Sequence, residues 1–221
     1  MRNVILFLFV ILSVFSISSI HGQTRFGLKG GLNIAYGSWQ GPGSSVREEN
    51  RKLLYGYHLE GLCVLPVKDK FAFRLGIGVH LKGDKYSETV SGRTTSLTTA
   101  PIFIQLPVIA SYVNEKFHIG AGPYFGFGVA GKITSKATGG GLDDKSTDKK
   151  IVFGNALNND IRPLDVGLQL EAGFTINYDY IISASYNVGL GNIVPTEYSE
   201  DSGLTGKFNS ISISLGYLFP Y

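Results

Sequence analysis

From Leu164 to Tyr178 large apolar residues alternate with small or polar ones along the whole stretch. Leu164, Val166, Leu168, Leu170, Ala172, Phe174, Ile176 and Tyr178 share one parity, and Asp165, Gly167, Gln169, Glu171, Gly173, Thr175 and Asn177 the other. A period of two is the period of an extended chain; a helix would scatter the same apolar set around its whole circumference. The run is also longer than the five or six residues of an ordinary soluble strand. The chain must therefore build long strands that present one apolar and one polar face.

The pattern recurs, and eight such strands are expected. Phe26 to Tyr36 opposes Gly27, Lys29, Gly31 and Asn33. About Leu54 to Val67 sets Tyr55, Tyr57, Leu59, Cys63 and Leu65 against Gly56, His58 and Glu60, with Leu62 and Val64 blurring the alternation. Phe71 to Lys82 opposes Arg74, Gly76, Gly78, His80 and Lys82 to its apolar set. Ile102 to Tyr112 carries Gln105, Pro107 and Ser111 on its polar parity, and Phe117 to Val129 carries His118 and four glycines. The sixth strand is 164–178, the seventh runs from Tyr180 to Leu190, and the eighth is the closing "SISISLGYLFPY". Short turns follow the even strands, at 68–70, 114–116 and Asp179. Long polar connections follow the odd ones, near 38–53, 87–99, 132–162 and 191–206.

In a soluble sandwich or lipocalin-like barrel the apolar face turns inward. In a membrane barrel it turns to lipid and the polar face lines the lumen. Three features favour the second arrangement. The polar parity is mostly glycine and serine, which fits a narrow lumen where inward side chains crowd one another. Aromatics cluster at strand ends, with Phe71, Tyr112, Phe117, Tyr178, Tyr180, Phe219 and Tyr221 by the short turns and Tyr36, Tyr55, Tyr57 and Tyr86 nearer the loops, like two interfacial girdles. Third, Arg2 followed by the apolar run Val4 to Ile17 and "SSIHG" reads as a secretory leader over 1–22. It is short for a spanning helix. The expected fold is all-β: an eight-stranded antiparallel transmembrane β-barrel, an up-and-down meander over residues 23–221. Such a barrel belongs in the outer membrane of a Gram-negative bacterium, with both termini in the periplasm. The final strand then closes the ring, and Tyr217, Phe219 and Tyr221 form an aromatic signature of the kind read by barrel-assembly machinery.

Several segments together resemble the PorT-like outer-membrane β-barrel family of Bacteroidetes. They are "FGLKGGLNIAYGS", "PIFIQLPVIASYV", "LDVGLQLEAGF", "SYNVGLGNI" and "SISISLGYLF". The resemblance spans about 24–221 and implies an outer-membrane barrel of porin-like class. The family's namesake takes part in type IX protein secretion, so the resemblance implies components of that system as partners and an accessory role in secretion as the alternative function.

The remaining signals bound the function. Lys and Arg number 20 against 17 Asp and Glu, a balance that argues against nucleic acid. Cys63 is the sole cysteine and reads as a small strand residue. The lumen parity holds a polar cluster of Lys29, Glu60, Arg74, His80, Gln105, His118 and Glu171, joined by His58, Lys82, Asp165 and Gln169. If the turn at 68–70 sets the register, Arg74 faces Leu62 and can pair diagonally with Glu60. The cluster reads as a polar plug of mutually satisfied charges, because eight strands leave room for side chains but not for a channel. No histidine sits in a His-x-Ser arrangement that would pair it with a nucleophile, as a lipid A-modifying hydrolase would need, and no metal-ligand spacing occurs. No enzyme activity and no cofactor are expected. Asp143, Asp144 and Asp148 lack calcium-loop spacing, and 132–162 reads as a solvated loop. Trp39 reads as a membrane-interface anchor. The expected role is structural or binding, within the envelope, among outer-membrane lipid and lipopolysaccharide.

Overall fold

The structure is a computed structural model that describes residues 23–141 and 143–220. The expected leader at 1–22, and Tyr221 of the expected terminal signature, lie outside the described residues. In chain order the elements are β1 (Arg25–Gln40), α1 (Ser44–Glu49), β2 (Arg51–Lys52), β3 (Leu54–Lys68), β4 (Phe71–Leu81), β5 (Asp84–Val90), β6 (Arg93–Val113), β7 (Phe117–Gly139), β8 (Lys145–Lys150), β9 (Leu164–Ile176), β10 (Tyr180–Gly189), α2 (Thr196–Ser202) and β11 (Thr205–Leu218).

Eight strands form a closed antiparallel ring in the order β1, β3, β4, β6, β7, β9, β10, β11. The β6–β7 and β1–β11 pairings close it. Closure satisfies every ladder without leaving an edge, the condition for crossing lipid with strands. Polarity is inverted relative to a water-soluble protein. Leu32, Ile213, Leu215, Phe174 and Tyr55 are 60–74% exposed, whereas Lys29, Glu60, Arg74, Lys82, Asp165 and Glu171 are at most 4% exposed. Strands crowd one another where glycine replaces a side chain: a Cβ on Gly31 would meet the Ile213 carbonyl oxygen at 1.9 Å.

The short-turn rim is pinned by Arg25. Its guanidinium donates to the Tyr178 carbonyl and pairs with Asp179 at 2.6 Å. Ile176 faces Tyr180 across this turn, so it holds three residues, and Tyr178 belongs to the turn rather than to the strand. Asn177 and Tyr178 both take left-handed φ angles, 49° and 65°. Aromatic pairs ring this rim: Phe71–Tyr112, Tyr112–Phe117, Tyr180–Tyr217 and Tyr217–Phe219, with centroids 5.2–6.1 Å apart.

The four long connections are folded, contrary to the loop reading. Strands β6 and β7 rise past the ring and pair from Arg93–Gly139 down to Val113–His118. Strands β5 and β8 flank them and β2 joins the edge of β5, making a sheet at the long-loop end. Segment 132–162 is thus largely hairpin. Strand β8, "KSTDKK", has no apolar parity, so its extended form comes from backbone pairing to β7 alone. The connections around α1 and α2 carry these short helices. Segment 151–162 is bonded to its neighbours through Arg162 N to Ile193 O and Glu197 N to Asn155 O, at 2.8 and 3.1 Å.

Candidate functional site in the lumen

Inward parity on β1, β3, β4, β6, β7 and β9 brings the polar residues together inside the barrel. The Lys29 ammonium lies between two carboxylates, 2.6 Å from Glu171 and 3.2 Å from Glu60. Arg74 Nε donates to Glu171 at 3.2 Å, and His118 Nε2 is 3.4 Å from the same carboxylate. His80 Nε2 lies 3.3 Å from Glu60. From Glu171 a second line climbs the lumen. Gln169 donates to Glu171 at 3.2 Å, Gln105 to Gln169 at 3.3 Å, and Lys82 to Gln105 at 2.9 Å. The Lys82 ammonium pairs with Asp165 at 2.5 Å and lies 4.2 Å from the Tyr124 ring centroid. A separate branch runs through His58, whose ring bonds Asn33 and Ser214, both at 2.8 Å, and stacks on His80 at 5.3 Å.

Three cations, Lys29, Arg74 and Lys82, thus face three carboxylates, Glu60, Asp165 and Glu171, all nearly inaccessible. Buried charges are tolerable only when paired and further hydrogen-bonded. All seven residues of the sequence-derived cluster lie in this layer. One pairing differs from expectation. A three-residue turn at 68–70 sets Val67 against Phe71 and hence Val64 against Arg74, the register the structure has beyond a bulge between Pro66 and Lys68; Arg74 thus faces Val64, not Leu62, and Glu60 faces Gly78. Arg74 therefore reaches across the lumen to Glu171, and Glu60 takes Lys29 and His80.

An apolar layer closes the polar layer toward the long loops and a smaller apolar cluster stands at the short-turn end, and the sequence reading missed both. Toward the long loops Phe103, Ile151, Ile161, Ile193 and Phe208 form a buried cluster, with Trp39, Ile133 and Phe153 packed on it. Trp39 is not a lipid anchor. Its position continues the inward parity of Gly31, Asn33 and Ala35, and its Nε1 donates to Asp84 at 3.1 Å. Arg47 of α1 stacks on its ring at 4.5 Å. At the other end Leu62, Ile181 and Leu218 cluster inside the barrel, which is why Leu62 broke the alternation. Beside them a vestibule of about 480 Å3, lined by Lys68, Lys70, Arg74 and His118 among others, opens at the short-turn rim. Tyr124 and Ile109 are likewise inward and buried. Only a break in the apolar parity could have flagged Phe103, Ile109 and Ile181, since both faces of the strand are apolar where they stand.

No metal-ligating group of three or more His, Cys, Asp or Glu occurs among the described residues. No helix among them is long and apolar enough to cross a membrane, so any crossing is by strands.

A closed ring with apolar outer walls, a charged interior and tall strands at one end defines a membrane-spanning β-barrel. The chain belongs to the outer membrane protein beta-barrel domain family, whose model matches residues 18–194. It is therefore an outer-membrane β-barrel protein. No curated protein sequence matches it. Solved structures similar to it include Ail, the attachment invasion locus protein of Yersinia pestis, at 14% identity. That match covers 90% of this chain and 100% of Ail, with a TM-score of 0.40. OprG from Pseudomonas aeruginosa is 13% identical over 91% of this chain and 98% of its own, with a TM-score of 0.33. The outer membrane protease OmpT from Escherichia coli is 12% identical over 90% and 94%, with a TM-score of 0.39.

Proposed function

We propose that this protein is a sealed, non-enzymatic outer-membrane barrel with a structural or binding role in the envelope, acting through the folded crown at its long-loop end. The observation that supports this reading is the layered lumen. A charge layer in which each cation has an ion-pair partner is capped by Phe103, Ile151, Ile161, Ile193 and Phe208, which leaves side chains where a pore would need water. In this reading the termini and short turns face the periplasm and the crown faces outward. The crown also holds a cup of about 260 Å3 between Trp39, Arg47, Ile133, Asp160, Val194 and Tyr198, a mostly apolar recess with charges at its rim.

A PorT-like assignment, with an accessory part in type IX secretion, is the alternative and rests on the resemblance of the segments quoted above. Barrel-assembly machinery as the partner in biogenesis rests on the aromatic parity of Tyr217 and Phe219, which lie on the outer wall, together with Tyr221.

Planar-bilayer recording of the full-length protein tests the sealed lumen. Wild-type protein is expected to insert without discrete conductance steps. Steady single-channel openings, in preparations whose heat-modified gel migration shows folded barrel, would overturn the proposal.

A further inference from the structure

The outer wall changes chemistry abruptly above the apolar band. Along β7 the outward residues are Phe125, Phe127 and Val129, with odd numbers. A bulge then intervenes: Phe103 pairs with Gly128, but Ile102 pairs with Ala130. The extra residue reverses the parity. Ile133 turns inward to the apolar cap, and Lys132, Thr134 and Lys136 turn outward. Register carries this face across the sheet. Thr134 lies opposite Thr98 and Asp148, Thr98 opposite Lys85, Lys132 opposite Lys150, and Lys85 opposite Lys52. Directly opposed residues share a face. One continuous surface therefore carries five lysines, interleaved with the hydroxyls of Ser96, Thr98, Thr134 and Ser146. Asp148 is the single carboxylate on it among the described residues. A recess of about 340 Å3 lies among Lys85, Lys132, Lys136 and these hydroxyls. Asp148 sits 3.6 Å from Lys132. A hydrogen bond from Thr134, with Lys132 beside it, holds its carboxyl below the usual range, so it offsets only one of the five positive charges.

We infer that this outward crown face is a docking surface for the phosphorylated headgroups of the glycolipid in the surrounding leaflet. Three observations converge on that occupant. The face continues the lipid-facing wall of the same strands, so lipid headgroups are its immediate neighbours. Its charge is complementary to phosphate and strongly one-sided. Its hydroxyls donate to phosphate and sugar oxygens between the lysines. Lysines beside an anionic membrane surface each add to binding and fade within a Debye length, so adjacency to the headgroups matters. The inference rests on the membrane-spanning wall, not on the sealed lumen, and stands whether or not the barrel conducts.

The test uses the purified full-length barrel in non-ionic detergent, titrated with diphosphoryl lipid A and with the same glycolipid freed of phosphate. The variant Lys85→Gln/Lys132→Gln/Lys136→Gln is compared with Lys68→Gln/Lys70→Gln/Lys116→Gln, which removes equal charge at the opposite rim. The crown triple is expected to weaken binding to diphosphoryl lipid A at least tenfold, and the rim triple to leave it unchanged. Wild type is expected to bind the phosphate-free glycolipid at least tenfold more weakly. Should the crown triple fail to show heat-modifiable migration, the single variants Lys132→Gln and Lys136→Gln carry the test, each with a several-fold loss expected. Equal losses from the two triples, unchanged binding by the crown variants, or indifference to phosphate would each overturn the inference. So would tight binding of inositol hexakisphosphate without binding of lipid A, which would assign the face to soluble polyanions. Binding by purified protein does not depend on which side of the membrane the crown faces, so an error in orientation shows separately, in surface labelling of cells.

Discussion

Glu171→Leu is expected to lower the stability of the folded barrel by about 3–5 kcal/mol, the cost of removing one partner from a buried ion cluster. Glu171 is the hub of the lumen: it receives Lys29 at 2.6 Å, Arg74 at 3.2 Å, Gln169 at 3.2 Å and His118 at 3.4 Å. Its loss strips Arg74 of that carboxylate and leaves Lys29 with Glu60 alone. Lys29 lies 4% exposed deep in the lumen, and Arg74, also 4% exposed, meets solvent only through the vestibule at the short-turn rim. Most of the loss comes from stranded cations, not from the attraction itself. Glu171→Gln, which keeps the shape and one carbonyl acceptor, should therefore cost clearly less. Urea titration in lipid vesicles, read by the shift between folded and unfolded gel bands, measures both. Equal midpoints for wild type and Glu171→Leu would mean that the charge layer is not held as described.

Phe103→Ala is expected to cost a similar amount, about 3–5 kcal/mol, for a different reason. Phe103 is fully buried at the centre of the apolar cap, edge-on to Phe153 and Phe208 with centroids 6.2 and 6.3 Å away. Truncation leaves a void between the ring wall and the folded-over segment 151–162, and neither can close it without breaking its own hydrogen bonds. Phe127→Ala removes the same ring from the outer wall, where Phe127 is 48% exposed and lipid can fill the gap. Its unfolding midpoint should move far less. If the two alanine variants lose stability alike, the cap is not a packed layer and the sealed lumen falls with it.

The wall of this barrel is legible in the sequence because lipid and lumen impose a period of two on every strand. The expected inward positions of Lys29, Glu60, Arg74, His80, Gln105, His118 and Glu171 follow from that parity alone. Three kinds of feature escape it. A bulge resets parity without a sequence mark: the one at Ala130 turned Lys132 outward. Inward apolar residues such as Phe103, Ile109 and Ile181 are masked by apolar neighbours on the other parity. Finally, the crown strands β5 and β8 bury little and are polar on both faces, so their extension depends on pairing with β6 and β7, which no local pattern reveals.

The central claim is the inverted wall, with apolar residues in lipid and charges sealed inside. Nitroxide scanning along β11 tests it most directly, in a Cys63→Ser background reconstituted in lipid vesicles. Labels at Ile211, Ile213 and Leu215 should collide freely with dissolved oxygen and hardly at all with a water-soluble nickel chelate. Labels at Ser210, Ser212 and Ser214, which are 1–2% exposed, should be shielded from both. A period-two oscillation of that phase is the predicted result. The opposite phase, with the serine parity open to the nickel chelate and the isoleucine parity shielded, would contradict the account and make the protein a barrel with its apolar core inside.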